Sequence, residues 1–317
     1  MSKSTQYEAV SCKTILNEVK APSMPFEKSI NPYRGCLHGC SFCYARSTHS
    51  FLGMEGDDTF QKHILLKSNA AEALEAEVLK QLRPGKRKKP IGRIAIGTAT
   101  DPYQPIEGKM KLTRECLKVA AKYQLTISIT TRSPLVLRDI DILKEIPITS
   151  VNLSINTLNP NVWRSMEPST PSPMKRLETV QQLIEAGIPA GIFMAPILPY
   201  LTDSPEDLHE LIQQASTHRA EFVMANFLRL STREVKVWFF QNLQIYYPEL
   251  VMPYSTLYGS AAHAPASYRE PIRKQIGIWL EQYQLSAYKA YEAEKPAGLP
   301  VNPAQETDPV QLSFSFL

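Results

Sequence analysis

A chain of 317 residues, 43% hydrophobic and 21% charged, has the make-up of an ordinary globular enzyme, with room for one large α/β domain plus an appendage, or for two domains. Its formal net charge of +4 permits an anionic partner without arguing strongly for one. No run approaches the roughly eighteen apolar residues that a membrane span needs, and the opening Met-Ser-Lys-Ser-Thr-Gln lacks the apolar core of a signal peptide. Five cysteines, three clustered and two isolated, make no disulfide framework, so a reducing, cytosolic setting is expected.

Residues 1–28 have mixed polarity with prolines at 22 and 25, and read as an N-terminal arm with one short helix around residues 13–20. Cys12 there reads as a plain thiol. Residues 31–46 then run Asn-Pro-Tyr-Arg-Gly-Cys-Leu-His-Gly-Cys-Ser-Phe-Cys-Tyr-Ala-Arg, placing Cys36, Cys40 and Cys43 at the spacing C-x3-C-x2-C. Gly35 and Gly39 allow such a loop to curl its thiols toward one point. Converging thiolates are soft ligands, suited to an iron–sulfur cluster or to zinc. A structural zinc site closes with four ligands, which would call on His38 or His49 as the fourth. Three cysteines on a [4Fe–4S] cluster instead leave one iron open. His38 otherwise reads as an ordinary loop residue.

Beyond this loop, strands and helices alternate. Asn69 is placed to cap a helix over Ala70–Leu82, with Leu74, Val78, Leu79 and Leu82 on one face. The pattern predicts strands at 91–97, 125–130, 151–155, 191–195 and 222–227. The intervening helices are predicted at 112–123, 135–144, 174–186 (ended by Gly187) and 205–216. A βα unit repeated about six times predicts a parallel sheet with helices outside, whose reacting groups lie beyond the C-terminal strand ends. Those ends, at 98–101, 130–133, 154–156 and 195–198, carry small or polar residues, as a pocket floor requires.

C-x3-C-x2-C with aromatics on both sides of the last cysteine (Phe42 and Tyr44) resembles the signature of radical S-adenosylmethionine (SAM) enzymes. In that superfamily the open iron is chelated by SAM, and one electron from the cluster yields a 5′-deoxyadenosyl radical. Within the superfamily, residues from about 29 to 200 resemble the spore photoproduct lyase-like branch. The likeness rests on Cys-x3-Cys-x2-Cys-Tyr, Thr-x-Thr-Asp at 98–101, Leu-Ser-Ile-Asn at 153–156, Glu-Pro-Ser-Thr-Pro-Ser-Pro-x-x-Arg at 167–176 and Ala-Gly-Ile-Pro…Met-Ala-Pro-Ile at 186–197.

The resemblance implies a partial (β/α)6 barrel and a cofactor pocket built from Thr98, Thr100, Arg132, Ser154, Asn156 and Ala195. Arg132 would stand near the carboxylate of SAM, Ser154 near its ribose or methionyl group, and Ala195 near adenine. Arg132 also suits that role by its own chemistry, since a guanidinium grips a carboxylate through two charge-assisted bonds. Thr98 stands where the lyases carry the cysteine that returns hydrogen to the substrate radical, and a hydroxyl is a poor donor of that kind. Tyr44 beside the cluster is a candidate relay, and Asp101 a candidate substrate contact, together with Tyr103, Gln104 and Glu107 on the same loop. An external one-electron donor, a flavodoxin or ferredoxin, is implied because no second cluster motif exists.

Lys86-Arg87-Lys88-Lys89 reads as a solvated basic turn, with phosphate contact as the alternative. Residues 231–293 lose the βα pattern and read as a helical region, with helices at 232–247 and 268–283 around a loop at 253–267. Trp238 and Trp279 there are assigned to packing. From residue 294 the chain is polar and proline-containing, as tails are, yet it ends Gln-Leu-Ser-Phe-Ser-Phe-Leu at 311–317. That heptad resembles the bacterial sliding-clamp-binding motif. The resulting expectation is a cytosolic radical SAM enzyme with its barrel over residues 29–230, acting on damaged or modified DNA in a lyase-like reaction. RNA, a peptide or a small molecule is the alternative substrate, and a zinc-bound, non-catalytic DNA adaptor is the further alternative.

Overall fold

The computed structural model describes residues 4–21, 24–50, 52–54, 56–83 and 90–286. The basic run at 86–89 and the tail motif at 311–317 lie outside the described residues. Ten strands occur among those described: β1 (Gln6–Val10), β2 (Asn17–Glu18), β3 (Lys28–Ile30), β4 (Tyr33–Arg34), β5 (His63–Lys67), β6 (Ile94–Ile96), β7 (Ile127–Thr131), β8 (Ile148–Ser154), β9 (Ala190–Ile197) and β10 (Val223–Phe227).

Seven of them form one sheet in the order β10-β9-β8-β7-β6-β3-β2. Every pair is parallel except β2 with β3. Parallel neighbours need a crossover, and the helices Ala70–Leu82, Leu112–Lys122, Pro173–Glu185 and Pro205–Thr217 supply it. The two ends of the sheet, β10 and β2, do not pair with each other, so it is a partial barrel of the expected (β/α)6 kind. One row of the register runs Ile30, Ile96, Ile129, Val151, all β-branched and essentially without exposure. β-branched residues at such positions suit strands buried on both faces.

Four expectations need correction. Residues 13–20 hold the short strand β2 and no helix, because Asn17 and Glu18 pair with Ser29 and Lys28. The 135–144 stretch begins as a 3₁₀ helix over Pro134–Asp139 and has only one α-helical turn, Ile140–Leu143. The segment read as a loop at 253–267 contains a helix, Val251–Tyr258. Its Tyr254 and Tyr258, four apart, are both fully buried, and Pro253 falls in the first turn, where its missing N–H is not needed. Asn69 stands at the N-cap position as expected, but its side chain makes no cap bond and instead exchanges two hydrogen bonds with the backbone of Cys12, at 2.8 and 2.9 Å.

The N-terminal arm is woven into structure that the periodicity did not reveal. β1 pairs in parallel with β5, which pairs antiparallel with β4, two residues ahead of Cys36. This second, three-stranded sheet fixes the approach to the cysteine loop.

Of the four apolar clusters among the described residues, the two with the most members position the site. The larger lies between the barrel sheet and its helices. The smaller joins Cys40 and Phe42 of the cysteine loop to Val235, Phe239 and Leu243 of helix Arg233–Tyr246 and to Tyr254 and Tyr258. The C-terminal helices are therefore packed on the cysteine loop itself.

Candidate active site

The cysteine loop is held open by contacts that exclude other residues. Gly35 has φ +83°, and a Cβ there would sit 2.8 Å from the Phe60 carbonyl and 2.9 Å from that of His63. The Gly35 carbonyl accepts from Thr100 Oγ1 at 2.7 Å and from Gln104 Nε2 at 3.2 Å, while Gln104 Oε1 accepts from Leu37 N at 3.1 Å. Cys36 N donates to the Phe60 carbonyl and Ser41 N to that of Met166. The Thr100 hydroxyl and Gln104 are thus spent on bracing the loop.

Cys36, Cys40 and Cys43 share one loop, and the charges of Cys40 and Cys43 bear on Cys36, although among the described residues no three His, Cys, Asp or Glu side chains are already gathered at metal-ligand distance. Burial, the Asp101 carboxylate and the other two cysteines push the Cys36 thiol well above its ordinary value. Burial likewise pushes Cys40 to about 12. Thiols must lose their protons to bind iron, so loading is favoured at higher pH. The donor set suits an iron–sulfur cluster better than a four-ligand zinc site. His38 Nδ1 lies 3.0 Å from the Ser169 carbonyl and its Nε2 3.2 Å from Asp101, without the alignment of a hydrogen bond. His49 Nε2 lies 3.1 Å from the His63 carbonyl, and its Nδ1 is buried without a hydrogen-bond partner.

Around the loop, the strand ends come together as the βα pattern requires. Asp101, beyond β6, accepts on Oδ1 from Tyr103 N (2.9 Å) and Thr131 Oγ1 (2.6 Å), and on Oδ2 from Arg132 N (2.7 Å). Burial opposes its charge, but His38 and these bonds outweigh it and hold the carboxyl at about 2. Arg132, beyond β7, donates from Nε to Glu167 at 2.8 Å and lies 5.8 Å from the Phe42 ring centre. Glu167 also pairs with Arg176 at 2.6 Å, and Arg176 Nη1 donates to the Ser154 carbonyl at 2.9 Å. Glu167 and Arg176 are both fully buried.

Asn156, two residues beyond β8, is 2% exposed, and neither polar atom of its side chain has a partner. An unspent buried amide of that kind is a place for a ligand. Thr98 Oγ1 accepts from Asn31 Nδ2 at 3.1 Å, and its carbonyl accepts from the Tyr44 hydroxyl. Tyr44 is 47% exposed. Ala195 lies within β9, half-buried, and Ser154 ends β8.

Residues missed from the sequence are His38 as an ion-pair partner, Arg46, Glu167, Arg176 and Arg229. The last follows β10 closely and is near enough for its charge to be felt at Tyr44. A signal existed for Glu167 and Arg176, which bracket the 167–176 run, but their pairing is a long-range event that no local period encodes.

The sequence profile of the Radical SAM superfamily matches residues 30–213. The chain belongs to the radical SAM superfamily. Members bind a [4Fe–4S] cluster and SAM, and this is a radical SAM enzyme with those cofactors. It is 35% identical over 287 residues to an uncharacterized protein of Mycobacterium tuberculosis, covering 88% of this chain and 82% of that one. It is 26% identical over 198 residues to a radical SAM Nα-GlyT isomerase of Pseudomonas phage M6, covering 62% of this chain and 38% of the relative. The fold matches spore photoproduct lyase with bound AdoMet and dinucleoside spore photoproduct, at TM-score 0.66 and 18% identity, over 87% of this chain and 79% of that one. The lyase-like fold expected from the motifs is therefore present. Among the described residues no helix is long and apolar enough to cross a membrane.

Proposed function

We propose that this radical SAM enzyme abstracts hydrogen from a damaged or modified nucleobase in DNA, in a reaction related to the reversal of a thymine photolesion. The observation that carries the reading is the three-cysteine loop with Arg132 against its Phe42, set in a fold shared with a lyase solved with dinucleoside spore photoproduct. Cys36, Cys40 and Cys43 would hold the cluster. With SAM bound, the cofactors supply the 5′-deoxyadenosyl radical.

The chain's own groups do the rest. Arg132 grips the SAM carboxylate through its guanidinium, steadied from behind by Glu167 and Arg176. Asn156 offers both amide atoms to the cofactor. Thr98, Thr100, Ser154 and Ala195 line the pocket, Thr100 through the cysteine loop that it braces. Asp101 holds Arg132 and His38 in place; with its oxygens already committed, it positions and does not exchange protons. Cys116 is fully buried in the larger core, which removes it as a hydrogen donor and leaves the exposed Tyr44 beside the cysteine loop as the relay.

A flavodoxin or ferredoxin would deliver the electron. The tail motif at 311–317 would bring the enzyme to the sliding clamp; equal clamp recovery by the full chain and by one ending at residue 310 would sink that idea.

The test is anaerobic reconstitution with iron and sulfide, reduction with SAM, and chromatography for 5′-deoxyadenosine and for altered nucleoside. A rise in both on adding an ultraviolet-irradiated oligonucleotide, abolished by Cys36→Ala, Cys40→Ala or Cys43→Ala, supports the proposal. Cofactor cleavage that is indifferent to DNA moves the substrate to RNA, peptide or small molecule. Colourless protein carrying zinc would return the adaptor reading.

A further inference from the structure

Arg46 is three residues past the last cysteine and has no exposure. Its Nη1 donates to the Asp57 carbonyl at 2.6 Å, and its Nη2 to the carbonyls of Gly39 (3.2 Å) and Cys40 (3.4 Å) and to Gln61 Oε1 (2.5 Å). Nε is buried without a partner. The guanidinium carbon lies 4.1 Å from the centre of the Trp238 ring and 5.3 Å from that of Phe60. Every contact is therefore a neutral acceptor or an aromatic face. A guanidinium buried without a carboxylate partner is strongly unfavourable unless some other negative charge compensates it. The negative charges that bear on Arg46 are the thiolates of Cys43, Cys40 and Cys36 and, after them, the Asp57 carboxylate, and all four oppose the lowering that burial imposes on it.

We propose that Arg46 is the built-in counter-ion of the iron–sulfur cluster, held against the cysteine loop by Trp238 of the C-terminal helix Arg233–Tyr246. This rests on the assignment of the three cysteines as cluster ligands. The arrangement acts in two ways. Through the carbonyls of Gly39 and Cys40 the fork sets the course of the loop between the second and third ligands. Through its charge it favours the reduced cluster, because the electron from a flavodoxin or ferredoxin adds one negative charge and a neighbouring cation stabilises that form more than the oxidised one. The potential is raised toward what the donor can supply. Arg46 is thus a positioning residue, and Trp238 ties the helical C-terminal region to the redox centre through a cation–π contact shielded from water.

The test compares the wild type with Arg46→Lys and Arg46→Gln, each reconstituted anaerobically, assayed for iron and sulfide, and titrated against redox mediators by electron paramagnetic resonance without SAM. Melting curves of the same preparations establish folding. The expected result is a wild-type-like potential in Arg46→Lys and a more negative one in Arg46→Gln. A cluster that loads in the lysine variant but not in the glutamine variant likewise assigns the effect to charge. Variants that behave alike, whether both match the wild type, both shift or both lose the cluster, overturn the proposal and reduce Arg46 to a loop brace. Failure of the wild type itself to load a cluster would instead strike at the cysteine assignment.

Discussion

The molecule contains two buried ion networks built from the same residue types, and they are wired in opposite ways. In the first, Glu107 and Asp139 are fully buried, and Arg138 and Arg114 cover them from the solvent side, each about one-fifth exposed. Glu107 Oε1 accepts from Arg138 and Arg114 N, its Oε2 accepts from Thr113 N and the Tyr33 hydroxyl, and Asp139 accepts from both arginines. It is closed upon itself. In the second, Glu167 sits between a fully buried Arg176 and a partly exposed Arg132, beside strand ends where Asn156 has both amide atoms unspent. A satisfied network fastens structural corners, whereas one with unspent buried groups beside it has capacity for a ligand.

The comparison breaks if the two networks respond alike. Removing one partner of a buried ion pair destabilises by about 3–5 kcal/mol, so Glu167→Gln and Asp139→Asn should both lower the melting temperature substantially. Only Glu167→Gln should also weaken SAM binding, read by calorimetry on reconstituted protein; equal loss in both variants would make the distinction meaningless.

Arg132→Gln should cost less stability, because Glu167 keeps Arg176. Losing a charge-assisted bond worth about 1.5–3 kcal/mol corresponds to SAM binding weakened by roughly 10- to 100-fold. Unchanged affinity would remove Arg132 from the pocket. Asn156→Ala deletes a buried amide that has no protein partner, so the melting temperature should hold or rise while SAM affinity falls by roughly fivefold, about 1 kcal/mol. A clear loss of stability would show that the amide serves the fold.

The smallest effect is with acid. Burial alone would raise the Glu167 carboxyl, but the Arg176 and Arg132 charges outweigh it and hold the group below its ordinary value of 4.5. A carboxyl depressed in the folded state adds stability that is fully present above the unfolded value and is lost as pH falls through the folded one. The stability gap between wild type and Glu167→Gln should therefore be constant near neutrality and narrow below about pH 4.5. A gap that stays flat to acid would place the carboxylate's contribution elsewhere.

The sequence was most informative where chemistry depends on residue type at short spacing. C-x3-C-x2-C, the alternation of β-branched runs with helical periods, and the polar strand ends are all local patterns, and they were enough for the partial barrel, the cysteine loop and the family. Helix limits came within a residue or two wherever a capping serine or threonine preceded the helix, as with Ser172, Ser204 and Thr232. What local pattern cannot encode is which distant groups meet. The pairing of β1 with β5 joins residues 57 apart, His38 meets Asp101 across 63 positions, and Arg46 meets Trp238 across 192. The role of each is set by burial and by an opposing charge or ring, both of which exist only once the chain has closed. His38 reads as a loop residue, Thr100 as a pocket residue and Trp238 as core packing until packing brings His38 to a carboxylate, Thr100 to the Gly35 carbonyl and Trp238 to a guanidinium.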